Sequence, residues 1–151
     1  MFARRATQCL VVLAGIALLA SCSSQPTLIA VTGTVTIDGK PASGVQVRFQ
    51  PAEVDEKAPY TQYASGVTDA QGRFTLSVGD GSEGIQAGNY KVVFSRRVDR
   101  NNSQPANPKG KAEGPGVVEL IPSRYRDRNE TPVAAKVSEN SKEFTFEIPS
   151  K

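Results

Sequence analysis

Apolar residues recur at every second position through most of the chain beyond residue 30, with short polar breaks between the runs. Val31, Gly33, Val35 and Ile37 alternate with Thr32, Thr34 and Thr36; Val45, Val47 and Phe49 alternate with Gln46, Arg48 and Gln50. Phe74, Leu76 and Val78 alternate with Arg73, Thr75 and Ser77, and Tyr90, Val92 and Phe94 take the pattern up again. Val133, Ala135 and Val137, then Phe144, Phe146 and Ile148, complete it. A period of two places each apolar set on one face of a β-strand. Val117–Ile121 reads as a further short strand, and 60–68 as a weaker one, because Tyr60, Tyr63, Ala64 and Val67 do not keep strict register.

The breaks carry turn chemistry. Asp38-Gly39-Lys40-Pro41 stops the first run and Ser43-Gly44 bends the chain again; Pro51 ends the second run. Asp69-Ala70-Gln71-Gly72 predicts a tight hairpin turn at the centre of the organising stretch Gly66–Ser95. Residues 52–59 are polar and charged, and 79–88, with four glycines and no period, reads as a flexible loop. Arg96–Gly116 is rich in Asn, Pro, Gly and charge and nearly devoid of apolar residues, so it buries too little surface to offset the entropy of ordering. It predicts a flexible excursion from one domain.

No amphipathic helix is evident after residue 22. About seven short strands with turn punctuation predict an all-β fold, an antiparallel Ig-like β-sandwich. A domain of roughly 130 residues buries a core without staples. Phe49, Phe74, Leu76, Tyr90, Val92, Phe94, Phe144 and Phe146 are the predicted core.

The first 21 residues are of a different kind. Met1–Arg5 is basic and Leu10–Ala20 is apolar, too short for a confident membrane span, for which about 20 apolar residues are needed, but right for a signal-peptide core. Leu19-Ala20-Ser21-Cys22 follows and resembles the lipobox of bacterial lipoproteins. In that motif small residues fit a peptidase cleft, and the resemblance implies that the Cys22 thiol is the lipid attachment site. The resemblance implies cleavage after Ser21, a lipidated tether over residues 22–27 and a folded domain over 28–151. Several acyl chains hold a protein on a membrane where one is marginal. Ser23, rather than Asp, follows the cysteine; by resemblance to sorting in some Gram-negative lipoproteins this favours the outer membrane, on its periplasmic or surface face. The alternative is an ordinary secretory signal with an incidental cysteine.

Removal of this leader changes the charge. The 151-residue chain has a net charge of +3, and residues 1–21 contain Arg4 and Arg5 with no acid. The remainder is therefore almost neutral, which gives no reason to expect nucleic-acid binding. Of the two cysteines, Cys9 lies in the leader, so a processed chain keeps Cys22 alone and forms no internal disulfide.

Val31–Phe49, VTGTVTIDGKPASGVQVRF, with Gly66–Phe74, GVTDAQGRF, and Ala87–Phe94, AGNYKVVF, is similar to the carboxypeptidase regulatory-like, or transthyretin-like, domain. Ala87 stands where that pattern has proline. Ile121–Tyr125 and Asn140–Ile148 resemble the tail of small bacterial lipoproteins that carry the domain. The resemblance implies a seven-stranded prealbumin-like sandwich with no activity of its own. Its motifs are turn and core residues, which specify fold better than function.

The chain has no histidine. That excludes Ser-His-Asp and Cys-His arrangements and His-ligated zinc, and it argues against the hydroxyisourate hydrolase activity that the resemblance brings to mind. Asp55, Glu56, Asp69 and Asp80 lie in predicted loops or turns and read as turn-formers or solvated charges. A calcium site on Asp69 and Asp80 lacks EF-hand spacing. No catalytic residue, metal ligand or cofactor is therefore expected. Arg96, Arg97, Arg100, Lys109 and Lys111 form a basic tract, either a contact for anionic lipid or polysaccharide or simply a solvated loop. Arg124, Tyr125, Arg126 and Arg128 form a second cluster that could stack on a sugar or pack over the sandwich edge. Asn101-Asn102-Ser103 and Asn129-Glu130-Thr131 match glycosylation sequons, with no reason to expect their use in a bacterial lipoprotein. The expected function is a non-catalytic, lipid-anchored envelope module that contacts an unidentified protein or polysaccharide; the alternative is a carbohydrate-binding accessory lipoprotein.

Overall fold

The computed structural model describes residues 27–53, 62–99 and 116–150. The expected signal peptide and the expected lipid attachment site Cys22, with Asp55, Glu56, Tyr60 and most of the 96–116 segment, lie outside these residues. The described strands are β1 (Thr32–Ile37), β2 (Lys40–Pro41), β3 (Gln46–Pro51), β4 (Ala64–Val67), β5 (Arg73–Thr75) and β6 (Ser77–Val78). They continue with β7 (Gly88–Ser95), β8 (Arg97–Asp99), β9 (Val117–Glu119), β10 (Ala134–Val137) and β11 (Glu143–Ile148).

These strands form a two-layer sandwich. One sheet runs β10-β7-β3-β4-β6, every pair antiparallel. In the other, β1 is flanked by β11 on one side and by β5 and β2 on the other. The inward residues are those of the alternating pattern: Val35, Phe74, Phe146 and Ile148 from one layer, Val47, Phe49, Tyr90, Val92 and Phe94 from the other. All eight predicted core residues belong to this cluster, Phe144 as a half-buried member packed against it. Phe146 is the aromatic hub. Its ring lies 5.3 Å from Phe94 and 6.2 Å from Phe49 across the layers, and 6.2 Å from Phe74 within its own. Such centroid separations are those of favourable edge-to-face and offset pairs.

Several local expectations are corrected. The turn at Asp69–Gly72 forms, with the Gly72 amide donating to the Asp69 carbonyl at 3.0 Å. It does not close a hairpin within one sheet, however. β4 pairs with β3 and β6, whereas β5 pairs with β1, so the chain changes layer at the turn. It changes back at Leu76, whose amide bonds the Val31 carbonyl, and β6 returns to pair with β4. Strands that switch sheets make the corners of sandwiches. Gly66 admits this crossing: a Cβ there would collide with the Thr75 carbonyl.

The sandwich is antiparallel except for β1 and β11, which run parallel over six residue pairs from Thr32–Glu143 to Ile37–Ile148. Strands 106 or more residues apart in sequence need no hairpin, so either direction is open to them. The glycine-rich segment after β6 is anchored, not free: Ile85 is fully buried, and it exchanges both backbone hydrogen bonds with Ile29. The segment from Arg96 is regular at its base, where β8 pairs with β9 as a separate ribbon. Val93, on the outward side of β7, is only 1% exposed and breaks the expected alternation.

Two outcomes follow from this packing. A chain ending at Ser141 lacks Phe144, Phe146 and Ile148, and is expected to show no cooperative melting by circular dichroism or calorimetry. At Gly33 an added Cβ would sit 2.7 Å from the Phe74 ring and collide with the Phe144 carbonyl. Gly33→Ala is expected to lower stability in urea by about 1–3 kcal/mol.

Candidate functional site

The polar residues singled out from the sequence are, for the most part, engaged in holding the fold. Asp69 caps its own turn: its Oδ1 accepts from the Gln71 and Arg73 amides at 2.9 Å each, and its Oδ2 from the Arg73 guanidinium. Those hydrogen bonds from Arg73 and Gln71 hold the carboxyl below its ordinary pKa. Asp80 accepts from the Ser82 amide at 2.8 Å in an equivalent turn role. Among the described residues, no three His, Cys, Asp or Glu side chains converge to hold a metal ion.

The described part of the basic tract is tied down in the same way. Glu119, at the end of β9, accepts from the Ser95 hydroxyl at 2.6 Å and from the Arg96 and Ile121 amides at 2.8 and 3.0 Å. Arg97 stands 3.9 Å from the same carboxylate. The Arg96 guanidinium donates to the Ser43 carbonyl at 2.9 Å. These contacts weld the β8–β9 ribbon to the sandwich. Arg100, Lys109 and Lys111, like Asn101–Ser103, lie outside the described residues. Glu119 was not a sequence candidate; a lone acid closing a short strand gives no signal until the partner strand is known.

The second cluster resolves toward packing. A short 3-10 helix, Ser123–Tyr125, turns the Tyr125 ring inward, where it is 8% exposed and joins the core cluster. The Arg124 guanidinium covers that ring at 4.9 Å and donates to its hydroxyl at 3.2 Å. Arg128 donates to the Pro51 and Ala52 carbonyls at 2.7 and 3.0 Å. Two buried threonines act similarly. The Thr68 hydroxyl donates to the Ala42 carbonyl and accepts from the Val45 amide, and Thr131 donates to the Val92 carbonyl. Tyr90 is likewise internal: its hydroxyl donates to the Gln86 carbonyl at 2.7 Å, and burial pushes its pKa up to about 12.

What remains open to a ligand is surface. A broad concavity of about 570 Å³ lies over β1 and β5, lined by Thr32, Thr34, Arg73, Thr75 and Glu143. A smaller one, about 280 Å³, lies on the outer side of the five-stranded sheet, lined by Arg48, Gln50, Tyr63, Ser65, Ser77 and Gly79. Tyr63 is 45% exposed and, with Val67, is one of the large apolar side chains left open to solvent. The sequence flagged Tyr125 and passed over Tyr63, because the period does not tell which tyrosine a connecting segment will cover.

No protein-family model matches the chain, and no curated protein matches it. Among solved structures, a crystal structure of the major pilin subunit of Bacillus cereus is similar, with 16% identity and a TM-score of 0.47. The likeness covers 83% of this chain and 30% of the pilin subunit, so the chain spans less than a third of that protein.

The two tyrosines are expected to behave differently on truncation. Tyr125→Ala removes a core ring and should cost about 3 kcal/mol in urea denaturation. Tyr63→Ala, at an exposed position, should stay within about 0.5 kcal/mol of the parent.

Proposed function

We propose that this protein is a lipid-anchored module of the cell envelope, a carboxypeptidase regulatory-like β-sandwich that presents a surface to a partner and has no active site. In this reading residues 1–21 are removed, Cys22 carries the fatty-acyl anchor, and residues 23–27 hold the domain a little off the outer membrane. Support for the anchor comes from the basic start, the apolar run and the Leu19-Ala20-Ser21-Cys22 order. Support for the family comes from its turn motifs. Asp38-Gly39 closes a two-residue hairpin between β1 and β2, and Thr68–Phe74 makes the corner at which the chain changes layer.

One observation carries the non-catalytic reading: among the described residues, Asp69, Asp80, Glu119, Thr68 and Thr131 are engaged by backbone groups of the fold. Asp69 and Glu119 each accept from two backbone amides, and the Thr68 and Thr131 hydroxyls are buried against carbonyls. A general base so held is not free to take a proton from a substrate. Carbohydrate stacking on Tyr125 is not favoured, since its ring is inside the fold.

The parent chain, expressed in a bacterial host, is expected to fractionate with membranes and Cys22→Ser with the soluble fraction. A Cys22→Ser chain that stays with the membranes as the parent does would overturn the anchored reading.

A further inference from the structure

The outer side of the five-stranded sheet carries a row of cations that only the register reveals. Lys91 on β7 pairs with Gln50 on β3 and with Ala134 on β10. Arg48 is two residues before Gln50, and Lys136 is two residues after Ala134, level with Asn89. Because adjacent strands run in opposite directions, each step from β3 to β7 to β10 moves the charge the same way along the sheet. Arg48, Lys91 and Lys136 therefore form a diagonal line across three adjacent strands, with roughly 7–8 Å between neighbours.

None of the three makes an ion pair with another described residue. Among the described residues, the outward positions of these five strands hold no acid. Carboxylates stand at the margins, among them Glu53, which shares a concavity with Gly88 and Asn89 at the Lys136 end of the row. Glu119 is beside Ser95 at the far end of β7, engaged by its ribbon contacts. Glu83 is bridged to Ser77 at the β6 edge, two strands from Arg48. Between the cations lie Gln50 and Asn89 with the apolar Val93 and Ala134, and Gln46 and Ser65 stand beside Arg48. At the β4 end of the same face is the concavity beside exposed Tyr63, with Arg48 and Gln50 on its wall.

We infer that this face binds a linear acidic polysaccharide, with carboxylates of successive sugars on Arg48, Lys91 and Lys136 and one ring against Tyr63. A row of separated cations suits charge spread along a polymer; a compact anion would need them convergent. The Gln50 and Asn89 amides between the cations match sugar hydroxyls, and an aromatic face beside a shallow recess takes the apolar face of a pyranose. An anionic membrane is the less favoured occupant, because among the described residues the exposed large apolar groups are Tyr63, just before β4, and Val67 at its end, whereas interfacial binding draws on a broad apolar surface. The inference rests on the reading of the chain as an envelope interaction module and names the partner of that module.

The test is direct binding of the purified full-length Cys22→Ser chain, which carries no acyl anchor, to polygalacturonate, with neutral dextran and phosphatidylglycerol vesicles as comparison arms. Polygalacturonate is expected to bind, dextran at least about tenfold more weakly, and salt should weaken the binding by screening. Replacing all three cations (Arg48→Gln, Lys91→Gln, Lys136→Gln) should lower affinity by about tenfold or more and flatten the salt dependence. Tyr63→Ala should lower affinity by a few-fold without changing the salt dependence. These positions are exposed or half-buried, and an unchanged melting temperature verifies the fold. No binding of polygalacturonate, equal binding of dextran, no effect of the triple substitution, or tight binding to the vesicles alone each overturns the inference. Binding in solution does not depend on Cys22, so failure here leaves the anchored reading intact, and mislocalisation there leaves this one intact.

Discussion

Phe146 stands where the two layers must meet. Its strand joins the sheet of β1, yet its ring packs against Phe49 and Phe94 of the opposite sheet and against Phe74 and Phe144 of its own. A strand pair by itself is marginal in water; burial of one face against a second layer makes it stable. The last strand of the domain therefore completes the core rather than decorating it. The parallel pairing of β11 with β1 follows from the same demand. The strand that delivers Phe144, Phe146 and Ile148 must lie where those rings reach across, and its direction is secondary to that.

The second constraint is the satisfaction of polar groups where the chain leaves one layer for the other. Corners and crossings strip backbone groups of ladder partners, and a buried unpaired donor or acceptor costs about 1–3 kcal/mol. Thr68 serves the Ala42 carbonyl and the Val45 amide beside the turn that changes layer. Glu119 collects the Ser95, Arg96 and Ile121 donors where the ribbon departs. Thr131 serves Val92 where the chain returns to form β10. These polar side chains are thus joints of the fold. The outer faces of the sheets are where side chains remain available to a partner, and the two faces differ: one mixes Arg73 with Glu143, while the other sets Arg48, Lys91 and Lys136 among neutral amides.

The alternation of apolar and polar residues was enough to decide that the protein is all β, which side chains enter the core, and where the turns fall. Side-chain direction in a strand has a period of two, a local property of the backbone that needs no knowledge of the partner strand. Phe49, Phe74, Leu76 and Phe94 could be assigned inside on that basis alone. The expectation of a leader and of a lipidated Cys22 likewise rests on a short contiguous motif. Tertiary structure decided everything that depends on which strand lies beside which: the change of layer at Asp69–Gly72, the parallel closing pair, and the burial of Val93 and Tyr125. It also decided that Tyr63 stays outside and that three cations, each unremarked on its own strand, fall into line. Register is fixed by packing between segments far apart in sequence, and no local period encodes it.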